Sequence, residues 1–283
     1  MQHNIRSIIC VLVSCFCLSG CSLGFIYNNL SWLSSWYVDD YVSFSAKQQQ
    51  QFNDDFKAFQ HWHRTTQLAL YTNQLERFKR QLIEGITEEQ INSHRDLLQA
   101  HWHNLIMHAK PQLVDLTYSL DLTQRSMLLE SIKEKNQERY NDSQYKNIES
   151  WHQERCDAQK DFYNKWLGRL TNLQKQKICD YVKATSPLAA FRFEYSNTWF
   201  TNIESALLLT KGRAEFEVML TDTITNAGAL KTEQYRILSE NNAQVYIRLF
   251  LVMMESINSS QKQHIIDELN ELIDTLKTLE FDR

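Results

Sequence analysis

The chain has 283 residues, with 30 basic and 34 acidic side chains and a formal charge of −4. That size suits one large or two small domains, and a mildly acidic, mixed surface argues against nucleic-acid binding or broad electrostatic contact with anionic lipid. Two prolines and six glycines are few breakers for so long a chain, and abundant Gln, Leu, Lys and Glu favour long helices.

The first element is a leader. Arg6 supplies its positive end, and Ile8 to Leu18 form an apolar run broken only by Ser14. The run is too short to span a bilayer, which takes roughly 20 apolar residues. It ends in Leu18-Ser19-Gly20-Cys21, the pattern of a bacterial lipobox. Residues 1–20 therefore read as a cleaved signal peptide, cut between Gly20 and Cys21, with a diacylglycerol on the Cys21 sulfur. Each buried CH₂ of such an anchor contributes about 0.8 kcal/mol. Lipidation changes the membrane reading from spanning to anchored. Ser22, where an Asp commonly retains lipoproteins in the inner membrane, points to the inner leaflet of the outer membrane of a Gram-negative bacterium. The body then faces the periplasm.

Residues 21–44 form an aromatic segment carrying Tyr27, Trp32, Trp36, Tyr37 and Tyr41. Such rings suit a membrane interface, or else pack on the body with their polar tips bonded. Asp39-Asp40 reads as a structural pair for Arg64 or Arg169 rather than as an acid–base pair.

Residues 45–185 read as a bundle of long helices. Ser45-x-x-Gln48, Thr87-x-x-Gln90, Thr171-x-x-Gln174 and Ser260-x-x-Gln263 are capping boxes, in which the hydroxyl takes the N3 amide and the Gln returns to the cap amide. Thr123, with Ser126, opens another helix. Apolar residues step at helical spacing from Phe52 to Leu82, so 45–84 is one helix of about 60 Å. Residues 124–167 are equally long, with a very polar stretch at 133–150. Pro111 kinks the 87–118 segment. Joints fall near 85, 120 and 169.

Residues 186–283 complete the chain as a C-terminal helical region packed on the bundle. Ser186-Pro187 serves as cap and first helical position, and helices fit 187–210, 213–226, 232–256 and 260–280. The fold class is all-α: an elongated bundle of long antiparallel helices joined by capping-box turns.

After cleavage the cysteines beyond Cys21 are Cys156 and Cys179. They flank the turn at Gly168 at nearly equal distances, so a helical hairpin would bring them level. In an oxidising compartment they form a disulfide, or stay as two buried thiols. His61-Trp62-His63 and His101-Trp102-His103 repeat 40 residues apart. On a helix, i and i+2 diverge by about 200°, whereas zinc pairs on one helix sit at i, i+4. No metal and no cofactor is expected, and no Gly-rich phosphate loop, nucleophile elbow or Cys-x-x-Cys pair occurs.

Tyr27-Asn28-Asn29-Leu30-Ser31-Trp32-Leu33, then Trp36-Tyr37-Val38-Asp39-Asp40-Tyr41, Trp62-His63-Arg64 and Trp166-Leu167-Gly168-Arg169-Leu170-Thr171 carry a resemblance. Over residues 18–185 the chain resembles an uncharacterised proteobacterial lipoprotein family, catalogued as a domain of unknown function. Ser31 stands where that family often has Asp. The resemblance implies an all-helical envelope lipoprotein and no particular activity. Leu170-Thr171-Asn172-Leu173-Gln174 is also similar to the L-T-x-x-Q strings of small helical periplasmic chaperones. The expected role is a non-catalytic, lipid-anchored binding or scaffold protein whose partners are the membrane and envelope proteins. The alternatives are a Spy-like holdase for unfolded clients, a hydrolase with a metal site assembled between helices, or a structural spacer. No small-molecule substrate and no nucleic acid is expected.

Overall fold

The computed structural model describes residues 20–209 and 212–281. Among these the chain is helical, with no strand. Helices α1 (Gly20–Asn28) and α2 (Leu30–Asp39) are followed by α3 (Ala46–Trp62), a π-helical turn at His63–Gln67 and α4 (Leu68–Glu84). Then come α5 (Glu88–Tyr118), α6 (Leu122–Asp142), α7 (Ile148–Leu167) and α8 (Asn172–Val182). The last four are α9 (Ala189–Leu209), α10 (Arg213–Thr225), α11 (Glu233–Glu255) and α12 (Ser259–Phe281).

The all-α class is as expected, and the joints lie where the caps place them. Ser45, Thr87 and Thr171 each close a capping box with Gln48, Gln90 and Gln174. Gly85 (φ 104°) and Gly168 (φ 70°) end α4 and α7 in left-handed conformations that side chains with a Cβ disfavour. Two caps differ from expectation. The cap of α6 is Asp121 with Gln124, two residues before Thr123. Likewise Asn258 boxes with Gln261, two residues before Ser260.

Other boundaries also move. The expected helix over 124–167 is two, because Asn147 starts a new capping box with Ser150 after α6 stops at Asp142. Helix α5 spans the expected 87–118 segment with Pro111 inside it. Ser186-Pro187 precedes α9 rather than opening it; both backbone polar groups of Ser186 bond the Asn242 side chain, at 2.9 and 2.8 Å. The 45–84 helix is interrupted by its π-helical turn, where Thr65 and Thr66 hydroxyls donate to the carbonyls of His61 and Trp62. Such back-bonding competes with the helix ladder and bends helices.

Helices from both sides of residue 186 share the two main cores. One core gathers Leu82 from α4, Tyr163 and Leu167 from α7, Ile178 from α8, Leu249 and Met253 from α11, and Ile265 and Leu269 from α12. A second gathers Val114 (α5), Leu129 (α6), Ile203, Ala206 and Leu207 (α9), and Phe216 and Leu220 (α10). Each draws on both sides of 186, so the C-terminal helices pack against the preceding ones. Each fully buried large side chain contributes about 1.5–3 kcal/mol. A third, small cluster of Tyr27, Leu68 and Leu279 seats α1 against α4 and α12.

Candidate functional site

Three arrangements bring the motif residues together. The first lies at the π-helical turn. The Tyr27 hydroxyl meets His63 Nδ1 at 2.8 Å, and the Tyr27 carbonyl accepts from Gln60 Nε2 at 2.6 Å. The Arg64 guanidinium lies 5.1 Å from the centre of the Tyr27 ring and donates to Asn28 Oδ1 (2.8 Å) and the Leu279 carbonyl (2.9 Å). Two motifs 36 residues apart, Tyr27-Asn28 and Trp62-His63-Arg64, thus form one node that also holds α12. Burial raises the Tyr27 phenol to about 12 against the opposing pull of Arg64, and burial lowers the pKa of His63. Both groups are neutral near pH 7. Trp62 stacks on His108 at 3.6 Å between ring centres and so ties α3 to α5.

The second arrangement is a polar seam between α4 and α5. His63 and His101, one from each His-Trp-His box, both pack on Tyr71, at 5.5 and 4.8 Å. From there His101 Nε2 donates to Gln74 Oε1 (2.8 Å), Gln74 Nε2 reaches the carbonyl (3.0 Å) and Nδ1 (3.3 Å) of His94, and His94 Nε2 donates to Gln81 Oε1 (2.8 Å). An amide oxygen only accepts, so the hydrogen on His94 sits on Nε2 and Nδ1 keeps its lone pair. Burial lowers both pKa values, and Arg77 adds to the effect at His94. No three His, Cys, Asp or Glu side chains among the described residues form a metal-holding group.

The third arrangement is a pair of glutamine clasps that sequence reasoning missed. Gln48 and Gln124, the N3 residues of the α3 and α6 boxes, exchange amide bonds at 2.8–3.0 Å. Gln174 and Gln261, the N3 residues of the α8 and α12 boxes, do the same at 3.0 Å. The pattern repeats in detail. Each Gln amide also donates to a carbonyl five positions before a clasp glutamine: Ser119 and Ser43 in one clasp, Ser256 and Arg169 in the other. Each carboxamide oxygen also takes its own cap amide. All four side chains are therefore fully bonded while joining helix ends 76 and 87 residues apart. The signal was present in sequence as a repeated apolar–cap–x–x–Gln string. Gln90 carries the string too and meets no second glutamine among the described residues.

The remaining motif residues are dispersed. Asp40 pairs with Lys135 (3.4 Å) rather than with Arg64 or Arg169, and Tyr37 and Tyr41 share a hydroxyl contact at 2.9 Å. Trp32, Trp36 and Tyr37 are exposed, whereas Tyr27 is buried. Ser31, at the position of the missing Asp, donates to Gln60 Oε1 at 3.2 Å. Cys156 and Cys179 are joined in a disulfide across the α7–α8 hairpin, with Cα atoms 4.8 Å apart. Leu18 and Ser19 lie outside the described residues, as do the side chains of Cys21 and Ser22. No helix among the described residues is long and apolar enough to cross a membrane.

No curated protein and no solved structure matches the chain. A family model does match, over residues 40–236, beginning at Asp40 inside the Trp36–Tyr41 motif and running well past 185. On that match, which spans more than half its length, the chain belongs to DUF6279, a family of unknown function.

Proposed function

We propose that this protein is a lipid-anchored envelope lipoprotein that works by binding rather than by catalysis. In this reading Cys21 carries the acyl anchor, Ser22 directs it to the outer membrane, and the helical body faces the periplasm. The observation that carries the binding role is the open face of α5. Leu98, Trp102, Leu105, Ala109 and Leu113 follow helical spacing over about 22 Å. Leu98 and Trp102 are 62% and 64% exposed, Leu105 and Ala109 are half-buried, Leu113 is exposed, and the same face continues into the core at Leu116. A stripe of this length fits an amphipathic partner helix or an extended apolar segment.

The test is a photocrosslinking residue at Trp102 in the full chain in cells, with Glu138 on the polar face of α6 as control. The expected result is a discrete set of envelope-protein adducts at 102 and none at 138. Equal adducts at both positions, or none at 102, would contradict the reading.

A second reading, a helical periplasmic holdase, is favoured by the repeated Gln-capped helix starts beside exposed apolar surface. It predicts that the purified chain suppresses aggregation of an unfolded client at stoichiometric ratio, and that Trp102→Glu weakens this severalfold. A hydrolase with a composite metal site gains no support from the arrangement of the histidines.

A further inference from the structure

We infer that the outer face of α1 and α2, formed by Phe25, Trp32, Trp36 and Tyr37, rests on the lipid surface that holds the Cys21 anchor. The inference rests on the anchored reading above.

Its basis is an inverted amphipathic helix. Helices that pack on a protein normally turn large apolar residues inward and small polar ones outward. Helix α2 does the reverse with its largest side chains. Leu30 packs inward against Tyr27, Leu68 and Leu279, but the side of α2 that faces α3 is a pair of serines: Ser31 donates to Gln60, Ser35 donates to Asn53 Oδ1 at 2.9 Å, and Gln49 donates to Ser35 at 3.3 Å. Its outer side carries Trp32 (68% exposed), Trp36 and Tyr37, and Phe25 (70% exposed) extends the row onto α1. The serine–amide seam pairs polar groups with polar groups, so the packing of α2 on α3 gives no reason for the bulky rings to point away. A second apolar phase outside does.

Three features select lipid as that phase. Residues 21–38 contain no charged side chain, so nothing on the segment resists an apolar surface or needs an anionic one. Positions 21, 25, 29, 32 and 36 follow one another at helical spacing, and Asn29 joins the two helices through its bonds to Phe25 and Leu33. The aromatic face therefore begins at Phe25, one helical turn after the anchor position, and runs about 17 Å to Trp36. The face then ends where charge begins, at Asp39, Asp40 and Lys135, with Tyr41 under the Lys135 ammonium at 4.4 Å. Trp and Tyr beside a lipid anchor, with charge set behind them, is the distribution a membrane interface favours.

The experiment uses the mature lipidated chain in phosphatidylcholine vesicles with and without brominated acyl chains. Bromolipid should quench tryptophan emission. Trp32→Phe/Trp36→Phe, whose rings face outward and whose Tm should match the parent, should lose at least half of that quenching; each single variant should lose part. Quenching that is absent, or unchanged in the double variant, overturns the resting face while leaving the anchor standing. A mature chain without lipid on Cys21 overturns both. Self-association of the chain that Trp32→Glu/Trp36→Glu abolishes, with no quenching by bromolipid, would assign the face to a second copy instead.

Discussion

The two glutamine clasps use one chemistry in two settings. Gln174 and Gln261 are 1% and 3% exposed and adjoin the core of Leu167, Ile178 and Met253, and Gln174 lies in the helix hairpin that the Cys156–Cys179 disulfide closes. Gln48 is 8% exposed, its partner Gln124 is only half-buried, and no disulfide lies near. The bond pattern is the same in both. What differs is access to water, and with it the cost of leaving an amide unpaired. The comparison teaches that a motif can set connectivity while its surroundings set its energetic weight.

The largest expected effect is on the α7–α8 hairpin. Cys156→Ser opens a crosslink between residues 23 apart and should cost about 3 kcal/mol under oxidising conditions. Denaturant unfolding with and without reductant checks this: the parent should shift on reduction and the variant should not. Next, Gln174→Ala leaves Gln261 and the Ser256 carbonyl short of partners in a dry site and should cost about 2 kcal/mol. A double-mutant cycle with Gln261→Ala should show coupling of about 1 kcal/mol. Gln48→Ala, at the wetter clasp, should cost only about 1 kcal/mol, since water can replace part of what is lost. Equal losses at Gln174 and Gln48 would break the comparison.

The smallest effect is a pH dependence. His63, His94 and His101 have pKa values lowered by burial, so the unfolded chain binds more protons than the native one below the ordinary histidine value near 6.5. Their contribution to stability is complete above that value and declines as pH falls toward the lowered native ones. Thermal melts should therefore fall from pH 7.5 to 5.5. His94→Gln, which cannot take a proton, should flatten the decline, and an unchanged slope would remove His94 from this account.

Much of the helical frame was legible because caps are local. Ser45, Thr87 and Thr171 declare their helices within four residues, and Gly85 and Gly168 declare the exits. The misplacements at Asp121 and Asn258 have a shared cause. Thr123 and Ser260 also fit a capping pattern two positions later, whereas the N3 glutamines of the actual boxes, Gln124 and Gln261, bond partners 76 and 87 residues away. Similarly, helical periodicity shows that 124–167 is helical but not that Asn147 restarts it. The motif node was half legible: Trp62-His63-Arg64 stood out, but its union with Tyr27 depends on α1 folding back across the π-helical turn. The inversion of α2 could not be read at all, because serines and tryptophans alternate in sequence without saying which side the protein occupies.

The central claim is that Cys21 ties this helical body to a membrane. Mass spectrometry of the mature N-terminal peptide tests it most directly. The peptide should begin at Cys21 and carry a diacylglyceryl group on its sulfur, lost in Cys21→Ala along with membrane association. A mature chain that retains Met1 to Gly20, or one that begins at Cys21 with a free thiol, would contradict it.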